Sequence, residues 1–178
     1  MLDLIIKNGK CYIDGKLEKK DIAIKDGKIL KIGKISEECK DTYDAKDQTV
    51  LPGCIDTQTH FREPGSTDTE DLHSGSRAAI VGGITAVFEM PNTNPPTATK
   101  KEFQRKLDLA KNRMYCNYAF YFGATADNTD ELADLNNLEG CCGIKLFAGS
   151  STGNLLVDKE ADIETRDIAE LVVDSLEA

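Results

Sequence analysis

The chain has 178 residues, of which 40% are hydrophobic and 30% are charged, a balance typical of one large folded domain or two small ones. Its net charge of -9 at pH 7 argues against unaided nucleic-acid binding, because phosphate contacts need clustered lysine and arginine. No run approaches the roughly 20 apolar residues of a membrane span. The N-terminus lacks the apolar core and cleavage site of a signal peptide.

The cysteine pattern bears on the compartment. The six cysteines are Cys11, Cys39, Cys54, Cys116, Cys141 and Cys142. Their spacing matches neither a zinc ribbon nor a C-x-x-C motif. We therefore expect free, buried thiols, as in proteins of a reducing compartment, and a cytoplasmic location.

Residues 1–52 have the pattern of a small all-β unit. Apolar residues alternate at Leu2, Leu4 and Ile6, again at Ile22 and Ile24, and continue at Ile29, Leu30 and Ile32. The dipeptides Asn8-Gly9 and Asp26-Gly27 each predict a hairpin turn, because both central positions of a tight hairpin need positive φ. A further extended piece is expected at residues 49–51, before Pro52-Gly53.

After Gly53, apolar runs alternate with amphipathic stretches, which indicates β-then-α units and a parallel sheet. Strands are predicted at residues 54–60, 84–90, 115–122 and 142–147, and helices at residues 68–81, 99–113 and 128–135. A terminal helix is predicted from the spacing of Ile168, Leu171, Val172, Ser175 and Leu176. Four such units make about half of a (β/α)₈ barrel, which takes roughly 250 residues.

Residues 51–65, LPGCIDTQTHFREPG, carry the most chemical information. Alternation along a strand places Asp56, Gln58 and His60 on one face. They would meet at the carboxyl end of the strand, where α/β folds place their sites. Arg62 follows two residues later and is suited to binding an anionic group through two hydrogen bonds.

Three segments carry a resemblance to a known family. FREPG at residues 61–65 and EMPNTNPPT at residues 89–97 resemble dihydroorotases of the amidohydrolase superfamily, and GIKLFAGSSTG at residues 143–153 resembles the fourth-strand segment of that family. The resemblance covers residues 1–160. It implies an α/β fold, in which a small all-β sandwich unit over residues 1–52 precedes a partial (β/α)₈ TIM barrel over residues 53–178.

The resemblance also implies roles for five residues. His60, Gln58 and Lys145 would bind a divalent metal, most simply zinc, with Lys145 carboxylated by CO₂ into a bridging ligand. Arg62 and Asn92 would hold the carboxylate of the substrate. The plainer interpretations are a core histidine, a solvated lysine, a Gln58 that hydrogen-bonds to the metal ligands without binding the metal, an ion pair of Arg62 with Glu63 or Asp68, and turn chemistry for Asn92. His73 is expected to be an ordinary surface residue.

Gln58 departs from the family pattern, which has a histidine at this position. An amide oxygen is a weaker, neutral ligand, whereas zinc prefers nitrogen and sulfur donors. The metal site could therefore be weaker, mononuclear, selective for another ion, or absent.

The implied reaction is the reversible hydrolysis of dihydroorotate to N-carbamoyl-aspartate, a step of pyrimidine biosynthesis. A metal would polarise the amide and activate water, and a carboxylate would move the proton to the leaving nitrogen. In the family the remaining histidine ligands and the proton-shuttling aspartate lie on later strands. This chain has two histidines, His60 and His73, so we expect no general acid or base within it and little turnover by the chain alone.

Three hypotheses remain open. The chain is a truncated or split product of a dihydroorotase, a non-catalytic partner that associates through its half-barrel edges, or a hydrolase of another cyclic amide such as a hydantoin or allantoin. The REPG and MPNT segments favour an acidic small-molecule substrate, which weighs against the third hypothesis. Exposed edge strands favour a homo-oligomer or another association.

Overall fold

A computed structural model describes residues 1–149 and 155–157. The predicted terminal helix and the end of the GIKLFAGSSTG segment lie outside these residues. The chain divides into two compact units, Met1–Pro52 and Gly53–Ala178. Within the described residues, no helix has the length and apolar character needed to cross a membrane.

The first unit is a five-stranded sheet, which confirms the predicted all-β unit. Its strands are β1 (Leu2–Ile13), β2 (Lys16–Lys25), β3 (Lys28–Gly33), β4 (Cys39–Asp44) and β5 (Thr49–Val50). The strand order is β3-β2-β1-β4, and β5 also pairs with β1. Leu2, Ile5, Ala23 and Ile35 form its buried cluster.

The two predicted turns differ in outcome. Asp26 and Gly27 have φ values of 51° and 71° and join β2 to β3, as expected. The turn predicted at Asn8-Gly9 is wrong, because β1 continues to Ile13 through a register shift between Ile6 and Gly9. Asn8 does have a φ of 56°, but the positive φ serves a bulge, and the hairpin turn falls at Asp14-Gly15.

The second unit contains a parallel sheet with helices between its strands. Its strands are β6 (Cys54–Thr59), β7 (Ile84–Glu89), β8 (Asn117–Gly123) and β9 (Cys141–Lys145), and its helices are α1 (Leu72–Val81), α2 (Lys100–Ala110) and α3 (Thr129–Leu132), with a 3₁₀ turn at Leu135–Asn137. The order is β6-β7-β8-β9, with every neighbouring pair parallel. The sheet is curled, and the predicted partial barrel is confirmed.

Helix α1 begins later than the sequence indicated. The predicted start at Asp68 is wrong, because Asp71 is the N-cap and its side chain accepts a hydrogen bond from the Ser74 backbone at 2.6 Å. Helix α2 begins after Thr99, which accepts from the Glu102 backbone at 3.2 Å. Such caps satisfy backbone donors that have no partner within the helix.

Aromatic packing holds the sheet against its helices. Phe103 of α2 is fully buried and stacks on Phe122 of β8 at 6.1 Å between ring centroids. Leu72, Val87 and Phe120 belong to the same core. Because β6 to β9 are parallel, their carboxyl ends share one edge, where polar side chains that follow the strands are brought together.

Candidate functional site

A hydrogen bond joins two predicted site residues at the edge of the parallel sheet where the carboxyl ends of its strands lie. Nδ1 of His60, after β6, lies 3.0 Å from Oδ1 of Asn92, after β7. Because an amide oxygen can only accept, Nδ1 of His60 is the donor of this bond. His60 is exposed and Asn92 is half-buried, so both side chains remain accessible to a small molecule.

Backbone contacts lock the two motif segments together. The Met90 amide donates to the Thr59 carbonyl at 2.9 Å, and the Asn94 amide donates to the Pro64 carbonyl at 3.0 Å. Gly65 has a φ of +123°, and a Cβ added there would lie 2.9 Å from the Cβ of Asn94. Only glycine suits this close approach. FREPG and EMPNTNPPT therefore form one packed loop pair.

Arg62 and Glu63, although adjacent, have different environments. Arg62 is exposed, and its side chain makes no hydrogen bond or ion pair with residues 1–149 or 155–157. Its alternative partner Glu63 is buried and binds Arg113 instead, at 2.9 Å and 3.0 Å. The Glu63 carboxylate also accepts from the backbone of Leu72, the first residue of α1, at 2.9 Å.

Gln58 lies in an irregular part of β6. The pairing of β6 with β7 shifts register between Asp56 and Thr59, and the backbone N–H of Gln58 donates to the Asp56 carboxylate at 3.0 Å. Unbroken alternation, from which we placed Asp56, Gln58 and His60 on one face, does not hold across this segment. The Gln58 side chain is exposed, and within the described chain it makes no hydrogen bond to His60.

Lys145 ends the fourth strand of the sheet. Its neighbours Ile144 and Leu146 pack against the core beneath the helices, and alternation therefore turns Lys145 toward the opposite face. The ammonium group lies 5.1 Å from the centroid of the Phe147 ring, and the side chain is half-buried. Among the described residues, no hydrogen bond joins Lys145 to His60 or Gln58.

The donor set fits a metal only in part. His60 is suited to ligation through Nε2, because metal-binding histidines commonly donate their other N–H to an oxygen, here Asn92. The other two predicted donors are the amide of Gln58 and the amine of Lys145, whereas zinc sites take four nitrogen, sulfur or carboxylate donors. No group of three or more His, Cys, Asp or Glu side chains arranged for a metal occurs in the described part of the chain. These residues alone do not complete a metal site.

Sequence reasoning missed a buried ion pair beneath the site. Glu89 of β7 pairs with Lys106 of α2, and both side chains are at most 1% exposed. Burial raises the pKa of Glu89 to about 7 and lowers the pKa of Lys106. A signal was present, because Lys106 lies between Phe103 and Ala110 on the apolar face of α2.

Asn128 is a second residue that the sequence reasoning missed. Its buried amide donates to the carbonyls of Ala98 and Gly123, each at 2.8 Å, and its Oδ1 accepts from Thr125 at 2.8 Å. One side chain thereby ties the end of β8 to the approach to α2. No spacing in the sequence indicated these contacts.

The curled half-barrel, with polar side chains at the carboxyl ends of its strands, defines a protein of the (β/α) barrel class of enzymes. The amidohydrolase family matches residues 49–170, which is more than half of the chain. The chain therefore belongs to the amidohydrolase family.

The similar proteins include dihydroorotases and allantoinases. The chain is similar to a dihydroorotase of Methanosarcina mazei, at 39% identity over 92% of this chain and 36% of that protein. It is also similar to an allantoinase of Escherichia coli, at 38% identity over 93% of this chain and 36% of that protein. The chain thus spans little more than a third of the length of these relatives.

Solved structures agree on the fold. An L-hydantoinase from Arthrobacter aurescens matches with a TM-score of 0.80 and 30% identity, over 88% of this chain and 35% of that one. A D-hydantoinase matches with a TM-score of 0.82 and 23% identity, over 98% and 38%; at that identity it supports the fold alone. The family is thereby established, and these relatives carry three different names, dihydroorotase, allantoinase and hydantoinase.

Proposed function

We propose that this chain supplies the substrate-binding side of a dihydroorotase-type site, for dihydroorotate or N-carbamoyl-aspartate in pyrimidine biosynthesis. The proposal includes the division into a β unit at residues 1–52 and a barrel unit at residues 53–178. One observation carries it, the 3.0 Å contact between Nδ1 of His60 and Oδ1 of Asn92. That contact joins the FREPG and EMPNTNPPT segments beside an exposed Arg62.

The chemistry of these residues suits an anionic ring. The guanidinium of Arg62 can bind a carboxylate through two parallel hydrogen bonds. Asn92 uses its oxygen on His60, which leaves its amide N–H groups to donate to the same carboxylate. Two donors fixed on neighbouring loops would orient the ring, which is the positioning contribution to rate.

We further propose that His60 contributes a nitrogen ligand to a divalent metal, most simply zinc, with Gln58 and a carboxylated Lys145 as neighbouring donors. Elemental analysis of the purified chain after dialysis tests the metal. Carbon-13 NMR in labelled bicarbonate tests the lysine carbamate, with Lys145→Met as the variant and Lys101→Met as the matched control. A carbamate signal that persists in Lys145→Met would exclude that role.

Neutral rings form the second candidate substrate class. The chain is nearly as similar to an allantoinase, at 38% identity, as to a dihydroorotase, at 39%. Allantoin and hydantoin lack the carboxylate that Arg62 and Asn92 are proposed to bind. The guanidinium of Arg62 is exposed and has no partner among residues 1–149 and 155–157, which favours the acidic ring.

An NMR titration of the full chain separates these candidates. Dihydroorotate, allantoin and hydantoin are added in turn to chain labelled with nitrogen-15, and the backbone signals of residues 60–65 and 89–97 are followed. We expect dihydroorotate to shift both segments and the neutral rings to shift neither. Shifts with a neutral ring alone would support the second class, and silence with all three would favour a non-catalytic partner role.

We also propose a cytoplasmic location and self-association through the edges of the parallel sheet. Six free cysteines support a reducing compartment, and unpaired strand edges favour association. Light scattering of the purified chain tests the second point. A monomer at every concentration would contradict it.

A further inference from the structure

Lys106 makes three contacts within the core of the second unit. Its ammonium group pairs with the Glu89 carboxylate, donates to the Met90 carbonyl at 3.1 Å, and lies 5.2 Å from the centroid of the Phe120 ring. Its side chain is 0% exposed. A lysine of α2 therefore reaches through the core to the carboxyl end of β7, two residues before Asn92.

The pair has no evident advantage for stability alone. Moving two charges out of water is costly, and apolar residues of similar volume commonly serve a core as well or better. Beyond Lys106, no donor in the described part of the chain reaches either oxygen of Glu89. The location of the pair is therefore its informative feature, because it holds the backbone that leads into the EMPNTNPPT loop.

The neighbouring backbone is fixed on both sides of Asn92. Before it, the Met90 amide donates to Thr59 at 2.9 Å while the Met90 carbonyl accepts from Lys106. After it, the Pro91 carbonyl accepts from the amides of Thr93 and Thr97, each at 2.9 Å. The Thr93 hydroxyl also donates to the Pro91 carbonyl, at 3.5 Å, but it belongs to the loop itself, whereas the bond from Lys106 comes from a buried side chain of α2.

We propose that Lys106 is a positioning residue for this site. By holding the Met90 carbonyl, it fixes the chain at the end of β7 and directs Asn92 toward His60. Glu89 keeps the buried amine in place and compensates its charge. The expected effect on substrate binding rests on the proposed function, in which Asn92 binds the substrate carboxylate. The expected effect on the His60–Asn92 contact does not depend on the proposed function.

The imidazole signals of His60 provide a direct measure. The chain has two histidines, so nitrogen-15 spectra of the side chains give one signal set for His60 and one for His73 as an internal reference. Lys106→Met removes the donor to Met90. Glu89→Gln/Lys106→Met removes it without leaving a buried, uncompensated carboxylate, and decides the question if the single variant does not fold.

Three controls separate positioning from loss of stability. Glu89→Gln keeps an oxygen that can accept from the amine of Lys106, so the amine stays bonded to Met90 and we expect wild-type His60 signals. Phe103→Leu loosens the packing of the same helix but retains Lys106 as the donor to Met90, and Lys101→Met changes an exposed lysine of α2. We expect both to leave the His60 signals unchanged at temperatures where they are folded.

We expect both Lys106→Met variants to shift the His60 nitrogen signals, to leave those of His73 in place, and to weaken dihydroorotate binding about tenfold, as loss of one charge-assisted hydrogen bond would. Unchanged His60 signals in these variants would overturn the proposal, and so would an equal shift in Phe103→Leu. If wild type does not bind dihydroorotate, the proposed function fails, while the imidazole signals still decide the role of Lys106.

Discussion

Arg113 binds Glu63 through both carboxylate oxygens, at 2.9 Å and 3.0 Å, across 50 positions of sequence. Glu63 also accepts from the first amide of α1, and Arg113 follows the end of α2 and contacts Asp71 at 3.3 Å. The pair therefore connects the segment after β6 to both neighbouring helices. Because Arg62 is next to Glu63 in sequence, these contacts also fix the backbone position of Arg62.

Removing Arg113 should cost stability. We expect Arg113→Met to lower the free energy of unfolding by about 2 kcal/mol, less than the roughly 3–5 kcal/mol of a fully buried pair, because the Arg113 side chain is 35% exposed. Urea unfolding measures this. The control is Arg105→Met, which breaks an exposed pair with Glu102 and should cost no more than about 0.5 kcal/mol. Equal losses in the two variants would contradict the account.

Gly65 should not tolerate a side chain. We expect Gly65→Ala to destabilise the chain by more than about 2 kcal/mol, since the new Cβ would lie 2.9 Å from the Cβ of Asn94 at a φ of +123°. Gly27→Ala is the matched control, because it has a φ of +71° with nothing nearby and should cost about 1–2 kcal/mol. Thermal unfolding compares them, and a smaller loss for Gly65→Ala than for Gly27→Ala would refute close packing of the two loops.

Glu89 should give the stability a pH dependence. Burial raises its pKa from 4.5 to about 7, so between these values the folded chain holds a proton that the unfolded chain has released. The stabilisation linked to that proton is complete below pH 4.5 and is lost as pH rises through 7. We expect the stability of wild type relative to Glu89→Gln to fall across this window in urea unfolding. A difference independent of pH would show that Glu89 does not titrate there.

The cysteines should differ widely in reactivity. All six are free, and Cys54 is exposed, so the expectation of buried thiols is wrong at that position. Cys11 and Cys116 are 3% and 7% exposed, and burial raises the pKa of the Cys116 thiol. We expect Cys54 to react quickly with a maleimide in the native chain and these two only after denaturation. Mass spectrometry of timed samples measures it, and equal rates for Cys54 and Cys116 would contradict the fold.

Local patterns predicted much of the fold. Alternation and helical spacing identified the strands and helices of the second unit, and Asp26-Gly27 identified a true hairpin. Asn8-Gly9 failed because positive φ serves a bulge as well as a turn. Strand β4, Cys39–Asp44, escaped prediction because most of its side chains are exposed and polar, so it lacks the apolar signal of a buried strand.

Contacts between residues far apart in sequence limited how much of the site could be predicted. The motifs assigned His60 and Asn92 to one site, and the structure joins them at 3.0 Å because parallel strands bring their carboxyl ends to one edge. The pairs Glu89–Lys106 and Glu63–Arg113 join residues far apart in sequence and depend on where α2 packs, which no local pattern encodes. The metal roles of Gln58, His60 and Lys145 remain predictions.

The most direct test compares two ligands and two chains. Dihydrouracil is dihydroorotate without its carboxylate, so calorimetric titration of both into wild type and Arg62→Gln isolates the contact between guanidinium and carboxylate. The control is Arg77→Gln, which alters an exposed arginine of α1. We expect Arg62→Gln to weaken the binding of dihydroorotate at least tenfold and to leave the binding of dihydrouracil unchanged. Equal weakening of both ligands, or none, would contradict the proposal that this edge of the sheet binds an anionic ring.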